Sequence, residues 1–215
     1  MEALILYLVL FFPGVYGASL SGASAAAEVI HFSLLRELGR TLTYSLPALA
    51  LLWYVILGKT DFSQYFTSLK PKKNDLYSFF IGLPGLIVIG LLISLIILLL
   101  FRFSPPRVAG PVSAAGWAVM IVSCLATGYL EETYFRYYLL TKLESRIPEA
   151  GLRVAFSSLL FAICHIHQWP WGVLNAALAG VLLSILFLRF RSLHGIAWAH
   201  GAYNMFVYTL GTLTQ

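Results

Sequence analysis

The chain has 215 residues, of which 60% are hydrophobic and only 11% charged. Soluble domains carry about 25% charged residues, so the polar surface here is too small to cover a water-soluble globule. The net charge of +5 comes from fourteen Lys and Arg that lie mostly in short connections. There they orient a membrane bundle, and nucleic acid is not an implied partner.

The apolar runs are long and continuous, whereas a membrane β-barrel shows alternating segments of about ten residues. Helices satisfy their own backbone hydrogen bonds in lipid. The expected fold is therefore all-α: a polytopic transmembrane helix bundle of about seven spans, a single integral membrane domain over residues 1–215. The first span covers Leu4 to Leu20. Gly17, Ala18 and Ser19 would also suit a signal-peptide cleavage site, although no basic region precedes the run. Ser21 to Arg40 carries Glu28, His31, Arg36, Glu37 and Arg40 among apolar residues and is read as an interfacial helix.

The second span, Thr41 to Gly58, leads into a basic connection with Lys70, Lys72 and Lys73. The third, Leu76 to Phe101, is the most hydrophobic, with Gly82, Pro84 and Gly85 near its start. A Pro- and Gly-rich connection follows. The fourth span, Ala114 to Leu140, contains Glu131, Glu132 and Arg136. The fifth runs from Leu152 to His167, the sixth from Gly172 to Leu188 and the seventh from Gly195 to Leu213. Cys124 and Cys164 fall in apolar runs and read as small core residues.

Nine of the fourteen Lys and Arg lie in connections after the second, fourth and sixth spans, and four lie in the alternate ones. That asymmetry predicts a cytoplasmic N-terminus and an external C-terminus. Compact length and the lack of targeting tails favour a prokaryotic cell membrane.

A central ionisable residue costs about 2.5–3.5 kcal/mol on insertion scales, so the polar residues within these spans mark functional positions. Counted from the connections after the fourth and sixth spans, Glu131 lies about 16 Å deep, His165 about 18 Å and His200 about 14 Å. Three helices thus bring ionisable side chains to a common depth, near the middle of a core about 30 Å thick. Glu132 and Arg136 are spaced i,i+4 and form a pair, as do His200 and Asn204. Glu131 points about 100° away from Glu132, which leaves it free as a reactive carboxylate. A Glu beside a His activates water as a general base. A second His and an Asn donate hydrogen bonds to a developing oxyanion. These parts suit hydrolysis of an amide.

The run Glu131-Glu132-Thr133-Tyr134-Phe135-Arg136 resembles the EExxxR motif of the CAAX protease and bacteriocin-processing family. Phe161 to His165 resembles its FxxxH motif, and His200 to Asn204 its HxxxN motif. All three occur in the family's order on successive spans. The Ras-converting prenyl-protein endopeptidase belongs to the same group. The resemblance covers residues 114–215, the motif-bearing catalytic half. It implies a glutamic-type intramembrane endopeptidase without a cofactor. Glu131 and His165 would activate water, His200 and Asn204 would form the oxyanion site, and Glu132 and Arg136 would support the catalytic helix. The implied partners are the bilayer and a membrane-embedded or lipidated protein or peptide substrate.

Two other readings use the same residues. In one, Glu131, His165 and His200 hold a catalytic zinc, although no HExxH is present. In the other, the chain is a non-enzymatic membrane binding or immunity protein of the same fold. His31 and His167 read as interfacial, His194 as a solvated span end, Arg102 and Arg107 as boundary anchors, and Asn175 as a packing hydrogen bond.

Overall fold

The computed structural model describes residues 1–20, 29–58, 70–102 and 107–213. Seven helical segments follow in chain order. They are α1 (Glu2–Leu20), α2 (Leu34–Leu57), α3 (Lys73–Phe101), α4 (Ala114–Glu144), α5 (Ala150–Cys164), α6 (Trp169–Phe190) and α7 (Leu193–Leu213). The expected all-helical bundle is the architecture found, whereas four of its segments, not seven, have the length and apolarity of a membrane span among the described residues. Helices α2, α3, α4 and α6 are long and apolar enough to cross a membrane. The apolar part of α1, Glu2–Pro13, and α5 are shorter.

Two three-residue strands, β1 (Val29–His31) and β2 (Arg107–Ala109), pair in parallel, with Ile30 opposite Val108. They tie the connection after α1 to the connection after α3. At the opposite end, the start of α3 clamps the turn between α6 and α7. Lys72 Nζ donates to the Arg191 carbonyl at 2.6 Å, and Asn74 donates to the Phe190 carbonyl at 3.1 Å. Arg191 takes a left-handed conformation, φ 49°, as it ends α6. Buried Asp75 accepts the Lys72 backbone N–H at 2.7 Å, capping α3. The same end gathers Lys142, bonded to Glu2 at 3.1 Å, and Arg191, 3.4 Å from Glu144.

The structure corrects one element boundary. Residues 34–40 do not form a separate interfacial helix but run directly into the second span. Ser33 caps the N-terminus of this longer helix. The reason is electrostatic: Glu37 is buried and Arg40 turns inward to it, so the charges are paired inside the bundle rather than spread on a membrane surface. Glu28 and most of the basic connection after α2 lie outside the described residues.

The core is unusually aromatic where α1, α4 and α5 meet. Phe11, Tyr134, Phe135 and Phe161 pack edge-on or tilted with centroids 4.9–5.1 Å apart. Tyr134 reaches the Ala3 carbonyl at 2.7 Å, and Tyr7 the Leu160 carbonyl at 3.0 Å. Buried aromatic hydroxyls of this kind need a partner. Cys124 and Cys164 are free, buried thiols, as the apolar runs around them imply.

A charge network between helices α4, α5, α6 and α7

Helix α4 changes pitch at the motif. It is α-helical to Glu132, then π-helical over Thr133–Leu140, and every residue of the π segment is buried. Short π segments inside helices are frequent at functional sites. Here the segment carries Arg136 while the two glutamates sit at its entrance.

Glu132 and Arg136 are fully buried and joined at 2.9 Å. The guanidinium also donates to the Gly180 carbonyl of α6 at 3.2 Å. Gly180 allows that approach, because a Cβ there would stand 3.0 Å from Ser158 Cβ and 3.1 Å from its Cα on α5. Arg136 further lies over the Phe161 ring, 4.5 Å from its centroid. The cation is thus held by a carboxylate, a carbonyl and an aromatic face from three helices.

His200 on α7 completes the network. Its Nδ1 lies 2.8 Å from Glu132 Oε1, and its Nε2 lies 3.5 Å from Glu131 Oε2. The expected separation of the two glutamates is therefore revised. Although they leave the helix about 100° apart, both converge on one imidazole, because His200 sits between them and uses its two nitrogens in opposite directions. Glu132, paired with Arg136, accepts at Oε1, so Nδ1 carries a proton towards it, and Nε2 faces Glu131 at 3.5 Å. Close helix approach makes this possible: Gly128 of α4 meets the backbone of Ala197 and Gly201 on α7.

His165 forms the C-terminal cap of α5. Its Nδ1 lies 2.8 Å from the Phe161 carbonyl. A carbonyl only accepts, so Nδ1 carries the proton and Nε2 presents a lone pair. Phe161 separates the two histidines, touching His165 at 4.6 Å and His200 at 5.8 Å between ring centroids. Asn204 lies one turn beyond His200 and is half-buried. It makes no side-chain hydrogen bond among the described residues, so its amide is available to a ligand. The sequence-derived pairing of His200 with Asn204 is not a hydrogen bond in the structure; His200 is turned towards α4.

Among the described residues, no three His, Cys, Asp or Glu side chains converge as a metal site. Glu131, His165 and His200 thus lack the convergence a preformed three-ligand zinc site requires.

The remaining histidines divide. His31 and His167 are exposed, and the His167 ring stacks beside His165 at 6.3 Å. His194 is not merely a solvated end: its Nδ1 meets the Tyr129 hydroxyl at 2.9 Å, because Tyr129 of α4 reaches across the α6–α7 turn. Asn175 donates to the Tyr203 hydroxyl at 3.4 Å, a packing bond between α6 and α7.

Residues 112–206 match the family model described as Rce1-like, type II CAAX prenyl endopeptidase Rce1-like. This segment is similar to that family. The matched segment contains the two glutamates, Arg136, His165, His200 and Asn204. No curated protein and no solved structure matched the chain in the corresponding comparisons. The apolar helices suit a bilayer setting.

Sequence reasoning passed over three contributors. Gly180 supplies only a backbone carbonyl, which no motif encodes. Arg40 and Glu37 stand outside the three motifs and were assigned to a membrane surface.

Proposed function

We propose that the protein is a glutamic-type intramembrane endopeptidase that hydrolyses a peptide bond of a membrane-associated or lipidated substrate. The observation that carries this reading is the approach of Glu131 to His200 within a buried network that also contains Glu132 and Arg136. Glu131 is partly accessible, at 15% for its side chain, whereas Glu132 is sealed at 0%. Glu131 is therefore the carboxylate a water and a substrate can reach, and Glu132 is the one that holds the frame.

In the proposed reaction, a water sits between Glu131 and His165. The His165 Nε2 lone pair accepts a hydrogen bond from this water and orients it, while Glu131 takes its other hydrogen as a proton and the oxygen attacks the carbonyl carbon. The carbonyl π electrons move to oxygen, and the oxyanion is met by His200 Nε2–H and the Asn204 amide. Collapse breaks the C–N bond, and the proton held by Glu131 passes to the leaving amine. Glu132 and Arg136 hold His200 in place from Nδ1. No cofactor is required, since the carboxylate supplies the acid–base step.

The test is cleavage of a prenylated peptide by purified protein in lipid nanodiscs. Glu131→Gln and His165→Ala should each abolish turnover while the protein elutes and melts like wild type. Wild-type turnover by the Glu131→Gln protein would remove Glu131 from the role of general base.

A further inference from the structure

Arg153 takes no part in the proposed reaction, yet it is a buried cation with few partners. It is 6% exposed, and its side chain makes no hydrogen bond among the described residues. Its Nη1 stands 3.7 Å from Glu144 Oε1, whereas charge-assisted bonds close to about 2.7–2.9 Å. Arg136 shows how the same chain satisfies a buried guanidinium. Both arginines leave Nε sealed without an acceptor, but they differ at the Nη groups. Those of Arg136 reach a carboxylate at 2.9 Å and a carbonyl at 3.2 Å. A buried cation with less than that is costly, so the head of Arg153 is poised for a further acceptor.

A second arginine shares the same carboxylate oxygen. Arg191 Nη2 lies 3.4 Å from Glu144 Oε1. Among the described residues, no other carboxylate is in ion-pair range of either arginine, so two cations face one anion. The Arg191 backbone is fixed: it takes φ 49° as it ends α6, and Lys72 Nζ donates to its carbonyl at 2.6 Å. Its side chain is 42% accessible and that of Glu144 39%. The three groups come from the ends of α4 and α6 and the start of α5. They form an accessible polar cluster at the basic end of the bundle.

The surroundings select the ligand. Arg153 stands in the first turn of α5, about 4–5 Å along the axis, where basic side chains at helix ends meet headgroups. Beside it, Leu152, Phe156, Leu159 and Ile163 run along α5 at helical spacing, and all four are exposed. An acceptor site above an apolar stripe describes a phospholipid rather than a free anion. The charge count selects its class. Arg153 and Arg191 bring two positive charges and Glu144 one negative, so a headgroup with one net negative charge balances the cluster. A zwitterionic headgroup would add an ammonium beside two guanidinium groups. Basic pockets between helices bind anionic headgroups on these grounds. We propose that Arg153 and Arg191 bind the phosphate of an anionic phospholipid of the phosphatidylglycerol class, whose acyl chains cover the Leu152–Phe156–Leu159 face of α5. The lipid joins the ends of α4, α5 and α6, which carry Glu131, His165 and the Gly180 carbonyl, and so steadies the half of the chain that holds the site. The assignment stands whether or not the protein cuts a peptide.

The probe is dilauroyl phosphatidylglycerol, with dilauroyl phosphatidylcholine as the matched zwitterionic lipid. Each is titrated into the delipidated full-length protein in detergent, and binding of the first lipid is read by native mass spectrometry. Phosphatidylglycerol should bind at least about tenfold tighter, in the range of one charge-assisted contact. Arg153→Gln and Arg191→Gln should each bring the ratio of affinities close to one. The double change Lys70→Gln and Lys73→Gln, at exposed lysines before and at the start of α3, should leave it unchanged. Glu144→Gln separates a ligand site from a structural ion pair. It removes the competing carboxylate, so the ratio should rise at least about threefold. Should Arg153→Gln fail to fold, Arg191→Gln and Glu144→Gln carry the test. Equal affinity for the two lipids in the wild-type protein would overturn the proposal. So would a Glu144→Gln protein with a lowered Tm and an unchanged ratio, the behaviour of a purely structural pair. A preference kept in both arginine variants but lost in the lysine variant would move the lipid to the connection before α3, and overturn it too. Displacement of phosphatidylglycerol by millimolar inorganic phosphate would make the occupant a free anion and overturn the lipid assignment.

Discussion

At the scale of single residues, burial separates the groups that hold the site from those that would act on a substrate. Arg136 is fully buried with Glu132, and Glu132 Oε2 and Arg136 Nε already lack partners among the described residues. Arg136→Ala would take the guanidinium from the buried Glu132 carboxylate and leave it only the His200 Nδ1 contact, at a cost of about 3–5 kcal/mol. The expected outcome is a large fall in expression or in Tm in detergent. Asn204→Ala removes a half-buried side chain with no side-chain hydrogen bond among the described residues. It should melt like wild type while turnover falls about 10²–10³-fold, the loss typical of one oxyanion donor. If Arg136→Ala melts like wild type and Asn204→Ala unfolds, the two roles are reversed. Metal removal is a second test at this scale. Turnover should survive exhaustive chelation, because a carboxylate that accepts the proton of water needs no metal. One zinc per active chain, lost with activity and restored together with it, would favour the zinc alternative.

At the scale of elements, the site depends on how closely two helices approach. A Cβ on Gly128 would lie 2.8 Å from the Ala197 carbonyl oxygen and 3.1 Å from the Gly201 nitrogen. Both are backbone atoms and cannot rotate away, so α4 and α7 would have to separate. Glu131 and His200 stand next to that contact on their respective helices. Gly128→Ala should therefore destabilise the fold by about 1–3 kcal/mol, as overpacking does, and lower turnover by more than its effect on Tm suggests. Gly151→Ala, where a Cβ meets nothing within 4 Å, is the matched control. Turnover and thermal unfolding of both variants provide the measurement; equal behaviour would detach site geometry from this crossing. The Glu132–Arg136 pair was legible in the sequence, because their i,i+4 spacing brings the two side chains together. What was not legible required a second helix. The ring nitrogens of His200 choose partners across α4, and no spacing within α7 specifies that. Glu37 and Arg40 look amphipathic in isolation, and only Ser123 and Thr127, over eighty residues away, reveal the side they face.

At the scale of the whole molecule, the two ends of the bundle differ in charge and in the way they are tied. The end near Glu2 gathers Lys72, Lys142, Arg153 and Arg191, bonded or paired to Glu2, Glu144 and the Arg191 carbonyl. The other end joins the connections after α1 and α3 through the two short strands. Reassigning Arg36 and Arg40 to the interior of α2 removes them from the connections at that second end and sharpens the asymmetry. Basic connections stay on the cytoplasmic side, so the Glu2 end is expected to face the cytoplasm and the strand pair to face outwards. Cysteine labelling tests this directly. The native thiols Cys124 and Cys164 are buried and can be replaced by alanine, leaving single reporters at exposed positions. Arg146→Cys, after α4 at the basic end, should react with a membrane-impermeant maleimide only once cells are permeabilised. Val112→Cys, fully exposed next to the strand pair, should react in intact cells. The reverse pattern would invert the orientation.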